Sequence, residues 1–247
     1  MTANYRILVG IPAYNEEKAV APLLDKLNRV REERLPNLTV LFVDDGSRDR
    51  TLELLRAARK HYPFLEVIAH GQNRGLGAAV RTILDHAISG QTHDDILVTL
   101  DGDNTHDPGV IPALVEKLVA EELDLVIASR FVNGGQEVGL ELYRKFFSRG
   151  ASLFFRLFFP IRGVRDYSCG FRAYRIAFLR RAREHWGELV TVTGFECMAE
   201  ILAKFSRLRP RAGEYPIILR YDLKAGASKM KIMKTIRGYF SLLRKAR

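Results

Sequence analysis

The sequence predicts an α/β fold, a single domain in which a mostly parallel central sheet is covered by helices on both faces. Two observations predict it. Short runs rich in valine, isoleucine and leucine alternate along the chain with longer segments in which apolar residues recur every three or four positions. The chain has 247 residues, of which 47% are hydrophobic and 28% charged, a composition typical of an ordinary globular protein.

The predicted elements follow one another in a regular order. Buried strands are expected where apolar runs are brief and end at polar or glycine residues, at 5–10, 38–43, 65–69, 96–100 and 125–128. Amphipathic helices are expected between them, at 16–34, 50–61, 75–89 and 108–121. Because alternating strands and helices form parallel sheets, we expect ligands beyond the carboxyl ends of the strands.

The charge is divided unevenly between the two halves of the chain. Residues 1–128 hold 14 Lys and Arg against 20 Asp and Glu, whereas residues 129–247 hold 25 against 9. Such a basic half is typical of contact with phosphates, lipid headgroups or nucleic acid, the alternative being solvated surface arginines. No nucleic-acid-binding module is recognisable, so we expect no nucleic-acid partner.

Several function classes are excluded by what the sequence lacks. Cys169 and Cys197 form no disulfide framework and match no zinc motif, so we expect buried thiols in a reducing, cytosolic compartment. No apolar run reaches the ~18 residues of a membrane-spanning helix, and the first ten residues do not resemble a signal peptide. The sequence Gly75-Leu76-Gly77 lacks the third glycine of a dinucleotide-binding motif, and there is no phosphate-loop sequence.

Polar residues follow three of the predicted strands, at 12–17, 44–47 and 101–107. Acidic side chains gathered at one edge of a sheet repel each other unless a cation or ligand offsets their charge. Asp101 and Asp103, two positions apart in extended chain, project to the same side and can share one divalent cation. The alternative is an Asx-rich turn that caps the helix at Pro108. The clustering favours a metal site.

Eight motifs occur in one order along nearly the whole chain. They are IPAYNEE at 11–17, VDDGSRDRT at 43–51, NRGLGAA at 73–79, LDGDNTHDP at 100–108, ASRFVNGG at 128–135, RKFFSRGA at 144–151, RDYSCGFRAYR at 165–175 and GASK at 226–229. In these motifs the sequence resembles the family 2 inverting glycosyltransferases of the GT-A (Rossmann-like) fold, most closely the dolichol-phosphate mannose synthase group.

The resemblance implies a nucleotide-sugar site made of residues that follow the strands, namely Pro12, Tyr14, Glu16, Asp44, Asp45, Gly75, Asp101, Gly102 and Asp103. Pro12, Tyr14 and Glu16 would hold the base and ribose, with Asp44 and Asp45 beside them. An aromatic face and acceptor carboxylates suit a nucleoside. Packing alone is the alternative role for Tyr14.

The resemblance also implies that Asp101 and Asp103 bind Mg²⁺ or Mn²⁺ and, through it, the sugar donor. In this group a glutamine two positions after the second aspartate completes the metal shell. Thr105 stands at that position here, so water, Thr105 or His106 must take its place.

Four basic or hydroxyl residues match positions that contact phosphates in the group. Arg130, Arg144, Ser148 and Lys229 are the candidates, with Arg130 expected to stabilise the charge of the leaving group and the other three to bind the acceptor phosphate. Arg144 and Ser148, at i and i+4, would share one helix face. Surface arginines in a basic half are the alternative.

A lipid-phosphate acceptor is mostly ionised at neutral pH and needs no protein base, whereas a hydroxyl acceptor needs one. Asp166 is the first candidate base and Glu200 the second. The alternative is that Asp166 forms an ion pair with Arg165 or Arg172.

The predicted domain has three parts: a nucleotide-sugar-binding half (1–128), an acceptor-binding half (129–228) and a basic amphipathic helix (229–247). Residues 132–141, which contain three glycines, are expected to form a mobile loop. The group carries an arginine where this chain has Leu223, a charge that Arg220 or Lys224 would supply. Phenylalanines between 146 and 159 add aromatic surface, most of it expected to be core.

We therefore expect a metal-dependent transferase that moves a hexose to a polyprenyl or dolichyl phosphate. Mannose from GDP-mannose is favoured, and UDP-sugars are the alternative donors. The enzyme is expected on the anionic cytoplasmic face of a membrane, bound peripherally, where a membrane-anchoring partner would assist it. The alternatives are transfer to a hydroxyl of a lipid, metabolite or glycan, and a non-catalytic module that binds membranes or nucleic acid.

Overall fold

The computed structural model describes residues 5–223 of the chain, and for residues 142, 144–146 and 223 the backbone alone. The strands are β1 (Ile7–Ala13), β2 (Leu38–Asp44), β3 (Leu65–Ala69), β4 (Ile96–Thr99), β5 (Leu125–Ser129), β6 (Gln136–Val138), β7 (Arg172–Arg175), β8 (Ala212–Pro216) and β9 (Ile218–Arg220). The α-helices are α1 (Glu17–Glu33), α2 (Thr51–Ala58), α3 (Leu76–Gly90), α4 (Ile111–Ala120), α5 (Leu142–Phe158), α6 (Ile176–Trp186) and α7 (Cys197–Ser206). Short 3₁₀ turns lie at Pro108–Val110 and Tyr221–Leu223.

The central sheet has seven strands in the order β3-β2-β1-β4-β7-β5-β8. Neighbouring strands are parallel, except that β7 runs antiparallel to both β4 and β5. Every residue of β4 and of β5 is buried, and because side chains alternate along a strand, both faces of the sheet must be covered. The predicted fold class is therefore confirmed.

Helix α3 packs unusually close to the middle of β1. A Cβ atom at Gly10 would collide with the Ile83 side chain, so only glycine at this strand position admits the helix. The buried face of α3 carries Val80, Ile83 and Leu84 at helical spacing. The lack of a side chain at Gly10 therefore allows α3 to lie this close to β1.

All five predicted strands and all four predicted helices are present, with ends shifted by a few residues. Residues 132–141, predicted to form a loop, instead contain β6, which pairs in parallel with β9 in a separate two-stranded sheet. The amide of Gln136 donates to the carbonyl of Ile217 and leads the segment into this pairing. A strand of three residues has too little alternation to be recognised in a sequence.

The order in which the chain adds strands to the sheet reverses at β1. From β1 the chain adds β2 and β3 on one side, then returns to add β4 on the other. In open α/β sheets a crevice forms at this switch point, beyond the carboxyl ends of the two strands. The functional site is expected where β1 and β4 end.

The two cysteines are buried free thiols, as predicted. Burial raises the pKa of Cys169 to about 12, so this thiol stays protonated and unreactive at neutral pH. Within residues 5–223, no helix combines the length and the apolar character needed to cross a membrane. The predicted amphipathic helix at 229–247, with Lys229, and the side chains of Lys224 and Leu223 lie outside what the structure describes.

Candidate active site

Three loops meet at the switch point because their strands are neighbours. Asp44 is the last residue of β2, Tyr14 and Asp101 follow β1 and β4, and these strands adjoin in the order β2-β1-β4. The β1 and β4 loops touch at Gly102, where a Cβ atom would lie 2.8 Å from the carbonyl oxygen of Pro12. The predicted clustering of polar loops at one edge is therefore what the strand order produces.

We expect the Gly102→Ala substitution to destabilise the protein by about 1–3 kcal/mol, because the added methyl group has no room between two backbones. Thermal denaturation measures the change. The matched control is Gly150→Ala in α5, where a Cβ atom meets nothing within 4 Å and removal of a helical glycine should stabilise the protein slightly. Equal melting temperatures for the Gly102 variant and the wild type would contradict the tight loop contact.

The loops after β1 and β2 are joined by hydrogen bonds. The amide of Asn15 donates to the Ser47 hydroxyl (2.9 Å), and the amide of Glu16 donates to Thr51 Oγ1 (2.7 Å). In return the amide of Arg48 donates to Asn15 Oδ1 (2.7 Å). Asn15 has a φ of 53°, in the left-handed region where asparagine is tolerated best after glycine. These bonds hold half-buried Tyr14 and Glu16 in place at the crevice.

Asp45 braces the loop that leads into α3. Its carboxylate accepts hydrogen bonds from the amides of Gly75 (2.8 Å) and Arg74 (3.0 Å) and lies 2.7 Å from His70 Nδ1. Gly75 has a φ of 93°, and the carbonyl of Thr193 occupies the space that a side chain would need there. Asp45 and Gly75 thus bind each other, and a contact between either and a nucleotide remains a prediction.

Asp44 has different surroundings from Asp45. Its Oδ2 accepts a hydrogen bond from the amide of Ser47 (3.2 Å), whereas its buried Oδ1 has no hydrogen-bond partner among the described residues. A buried carboxylate oxygen without a donor is costly to leave unsatisfied. A hydrogen-bond donor from outside the described residues would satisfy this oxygen, and its assignment to a nucleotide stays a prediction.

The two aspartates after β4 differ in exposure. Asp103 is buried, and its Oδ1 accepts hydrogen bonds from the Thr105 hydroxyl (2.6 Å) and the Thr105 amide (3.2 Å). The Asp101 side chain is 41% exposed, and its Oδ2 lies 3.6 Å from Nδ1 of buried His106. Thr105, at the position of the expected glutamine, therefore orients Asp103, and His106 Nδ1 has no hydrogen-bond partner among the described residues.

The donor set suits a hard divalent cation shared with a ligand. Among residues 5–223 no three His, Cys, Asp or Glu side chains are grouped into a complete protein-made metal site. Mg²⁺ is usually bound through one or two carboxylates, with water and substrate phosphates filling the other positions. Asp101 and Asp103, one half-buried and one buried, fit that arrangement.

Arg130 and Asp166 form a fully buried ion pair. Arg130 Nε donates to Asp166 Oδ2 and Nη2 to Oδ1, each at 2.7 Å, the two-pronged geometry that arginine offers a carboxylate. The alternative considered for Asp166, an ion pair with Arg165 or Arg172, names the wrong arginines. Arg172 instead donates to the carbonyls of Tyr167 and Met198, since 130 and 166 are brought together by tertiary structure rather than by proximity in sequence.

This pairing governs the protonation of Asp166. Burial raises its pKa, but the charge and hydrogen bonds of Arg130 outweigh burial, and the pKa is lowered overall. Arg130 also donates to Glu137 on β6 (3.2 Å) and to the Ser168 hydroxyl (2.6 Å), so two carboxylates share one guanidinium. An ionised carboxylate bound in this way is a weak proton acceptor.

Glu200, the second candidate base, is bound to a different part of the fold. It accepts hydrogen bonds from the amide of Thr191 (2.9 Å) and its hydroxyl (2.6 Å), and it pairs with Lys204 at 2.9 Å. Burial raises its pKa, but these hydrogen bonds lower it overall. Glu200 anchors the segment before α7.

The predicted phosphate-binding residues are only partly described. Residues 144 and 148 both lie on α5, as the i, i+4 spacing predicts, and the hydroxyl of Ser148 lies 3.3 Å from that of Ser168. Ser148 is thereby connected to Arg130 through Ser168. Of Arg144 the structure describes the backbone, and Lys229 lies beyond the described range.

Tyr221 lies near the acidic loop after β4, a placement that the sequence did not indicate. Burial, opposed by the charge of Arg130 and helped by the negative charges of Asp101 and Asp103, raises the pKa of Tyr221 to about 12. The preceding residue, Arg220, donates its amide to the Thr105 carbonyl (3.2 Å) and its guanidinium to Asp222. The turn after β9 therefore lies against the acidic loop, a contact that no short motif announces.

Comparison with known proteins agrees with this architecture. The model of the family described as "Glycosyl transferase family 2" matches residues 8–183. The chain is 31% identical to a dolichol-phosphate mannosyltransferase from Pyrococcus furiosus over 97% of its length, and it spans 64% of that relative. It is 32% identical to an undecaprenyl-phosphate mannosyltransferase from Micrococcus luteus, covering 91% of this chain and 87% of the relative.

A third relative transfers a different sugar. A UDP-N-acetylglucosamine–dolichyl-phosphate N-acetylglucosaminyltransferase from Methanococcus voltae is 27% identical, over 98% of this chain and 96% of the relative. Among solved structures, glucosyl-3-phosphoglycerate synthase from Mycobacterium tuberculosis, bound to Mn²⁺ and UDP, matches with a TM-score of 0.71 at 19% identity, over 99% of this chain and 80% of that one. The fold is that of the GT-A enzymes, and the chain belongs to glycosyltransferase family 2.

Proposed function

We propose that this glycosyltransferase moves a hexose from a nucleotide sugar to a polyprenyl phosphate. One observation carries the choice of acceptor: both carboxylates that could act as a general base are held in ion pairs. Asp166 is neutralised by Arg130 and Glu200 by Lys204, and the pKa of each carboxyl is lowered. A phosphate acceptor, already ionised at neutral pH, needs neither of them. The named acceptors of the three relatives above, which are dolichyl or undecaprenyl phosphates, support the same choice.

The donor would bind across the switch point. The base and ribose are assigned to the β1 and β2 loops, where Tyr14 offers an aromatic face and Asp44 Oδ1 lacks a donor. Both uracil and guanine present N–H groups that a carboxylate accepts. The diphosphate is assigned to the β4 loop, beside Asp101 and Asp103.

A divalent cation bound by Asp101 and Asp103 would neutralise charge on the departing diphosphate. The chain's own residues do the rest. Thr105 fixes the orientation of Asp103, and Ser148 and Arg144 on α5 present the acceptor phosphate to the sugar. Arg130 shares its charge with Asp166 and Glu137, which hold it rigid, so its proposed part is to present N–H donors of fixed orientation to the departing diphosphate.

Mannose from GDP-mannose is the proposed sugar, supported by the two relatives above 30% identity. N-acetylglucosamine from a UDP donor is the second candidate, because the Methanococcus voltae relative uses it. Peripheral association with the cytoplasmic face of a membrane, with a membrane-anchoring partner, completes the proposal. It is supported by the lipid-linked acceptors of the relatives and by the two unpaired, buried thiols.

We expect purified protein with Mn²⁺ to transfer radiolabelled sugar to detergent-solubilised polyprenyl phosphate and not to the corresponding polyprenol. Thermal-shift measurements with GDP-mannose, UDP-glucose and UDP-N-acetylglucosamine identify the donor, since a specific ligand raises the melting temperature. Transfer to polyprenol at a comparable rate would overturn the proposed acceptor. Stabilisation by a UDP-sugar alone would overturn the proposed donor.

A further inference from the structure

His106 is a buried histidine beside the acidic loop, and the proposed mechanism does not yet use it. Only 2% of its side chain is exposed, and its ring packs against Phe171 with the ring centroids 5.3 Å apart. Among residues 5–223 its Nδ1 meets no hydrogen-bond partner. Burying a ring nitrogen without a partner costs free energy, so the group that this nitrogen faces is informative.

The group that Nδ1 faces is the carboxylate of Asp101, whose Oδ2 lies 3.6 Å away. That distance is about 0.5 Å longer than a hydrogen bond between nitrogen and oxygen. Hydrogen bonds in active sites are often long before the ligands bind and shorten in the complex. The Asp101 side chain is 41% exposed, so a rotation of its carboxylate toward the fixed ring can close the gap.

The other oxygen of Asp101 is confined by Gly170. A Cβ atom at residue 170 would lie 2.9 Å from Asp101 Oδ1, so a side chain at this position would push the carboxylate aside. The carbonyl of Gly170 accepts a buried hydrogen bond from Thr99 Oγ1 (2.6 Å), which ties this segment to the end of β4. Asp101 therefore lies between a fixed backbone segment and the ring of His106.

The second ring nitrogen of His106 decides which of the two carries the ring proton. Nε2 lies 3.8 Å from Sγ of Cys169. Because burial raises the pKa of this thiol to about 12, the sulfur carries a proton at neutral pH. A thiol that donates to Nε2 leaves the ring proton on Nδ1. A carboxylate oxygen only accepts hydrogen bonds, so Asp101 favours the same tautomer.

The buried ion pair of Arg130 and Asp166 sets the position of this thiol. Asp166 Oδ1 accepts the amide of Cys169 (3.1 Å) as well as the guanidinium of Arg130. The carboxylate that holds Arg130 therefore also holds Cys169 against the imidazole. A line of contacts leads from the ion pair through Cys169 and His106 to Asp101.

We propose that His106 is a positioning residue, whose Nδ1–H holds the Asp101 carboxylate in the orientation that binds the divalent cation. The inference rests on the proposed function in one respect, that Asp101 is a ligand of this cation. A ring nitrogen that carries a proton has no lone pair to offer a metal. His106 is thereby removed from the candidates for the place of the expected glutamine in the metal shell.

Two substitutions of His106 separate this role from packing. His106→Asn places an amide N–H where Nδ1 lies, whereas His106→Gln places it near Nε2 and leaves Asp101 without the donor. Both remove the ring that packs on Phe171, so both should lower the melting temperature alike. Binding of radiolabelled Mn²⁺ to the full chain is measured by equilibrium dialysis with GDP or UDP. We expect it to weaken about 10–100-fold in the glutamine variant, the usual cost of losing a partner of a metal ligand, and to stay within about threefold of the wild type in the asparagine variant.

Three results would overturn the proposal. Equal loss of Mn²⁺ affinity in the two variants would reduce His106 to a packing residue. A nitrogen coupling in the electron spin-echo spectrum of bound Mn²⁺, present in the wild type and absent from both variants, would make His106 a ligand. A wild-type chain that binds no Mn²⁺ would leave the positioning role without a cation.

The tautomer supplies a second test, which does not depend on the folding of the His106 variants. Nitrogen–proton correlation spectra of the labelled wild-type protein report which ring nitrogen carries a proton. Of the six histidines, His106 is identified as the one whose ring signals shift in the Cys169→Ala variant, because its Nε2 faces the thiol. We expect a proton on Nδ1, and an Nδ1 without a proton would overturn the proposal.

The two proposals fail separately. If the wild-type protein binds Mn²⁺ but transfers no sugar to polyprenyl phosphate, the proposed function is wrong, while the comparison of the two His106 variants still decides the positioning role. If transfer occurs and the two variants bind Mn²⁺ equally, the function stands and the positioning role is wrong.

Discussion

The Asp103→Asn variant is expected to lose sugar transfer by about 10²–10³-fold, the usual effect of removing one group that stabilises developing charge. The substitution removes a negative charge and little else. An asparagine oxygen still accepts the hydrogen bonds that Thr105 donates to Asp103 Oδ1, so the loop should keep its conformation. The affinity for Mn²⁺ should fall together with the rate of sugar transfer. This affinity is measured from the signal of the Mn²⁺ that stays free in solution.

Asp107→Asn is the matched control in the same loop. Asp107 is exposed and accepts a hydrogen bond from the amide of Gly109 (2.9 Å), where it caps the turn at Pro108–Val110. We expect transfer by this variant within about twofold of the wild type, because asparagine caps helical turns as well as aspartate does. Full activity of the Asp103 variant would remove Asp103 from the proposed mechanism.

The Asp166→Asn variant is expected to destabilise the fold by about 3–5 kcal/mol, the cost of leaving one member of a buried ion pair without its partner. Arg130 would then keep Glu137 as its charged neighbour while facing an amide. For a chain of this size the melting temperature should fall by about 10 °C. Glu53→Gln, which breaks the exposed pair with Arg50, should leave the melting temperature unchanged.

The pH dependence of this effect has a definite sign. The pKa of Asp166 in the folded protein is below its ordinary value of 3.8, so the ion pair stabilises the fold above that pH and loses its contribution as the pH falls through the folded-state value. The difference in melting temperature between wild type and variant should be constant from neutral pH to about pH 5 and shrink only in stronger acid. A difference that disappears already at pH 6 would contradict the pairing.

The first half of the fold is predictable because β1, β2, β4 and β5 are almost entirely buried, on both faces, and read as apolar runs. Strand β7 is not, because two of its four residues are arginines. Arg172 donates to the carbonyls of Tyr167 and Met198, and Arg175 donates to the carbonyl of Leu123 (2.8 Å). Backbone oxygens supplied from elsewhere in the fold satisfy these charges, and such partners are invisible in a local pattern.

The candidate site is likewise predictable from the sequence only in part. Its acidic loops follow from the order of the strands, so Asp44, Asp101 and Asp103 lie at the predicted edge. Side-chain contacts that depend on the tertiary structure do not follow from the order of the strands. The pair of Arg130 and Asp166 joins positions 36 residues apart, and Tyr221 reaches the acidic loop through a turn near the end of the described chain.

The antiparallel strand β7 also affects how this protein folds and how it can evolve. Because β7 bonds to both β4 and β5, a fragment ending near residue 128 would leave both strands with open edges, which favour aggregation. The predicted nucleotide-sugar-binding and acceptor-binding halves are therefore not separable modules that recombination could exchange. The middle strand must close the sheet before either half gains its full stability, so we expect the chain to unfold as one cooperative unit.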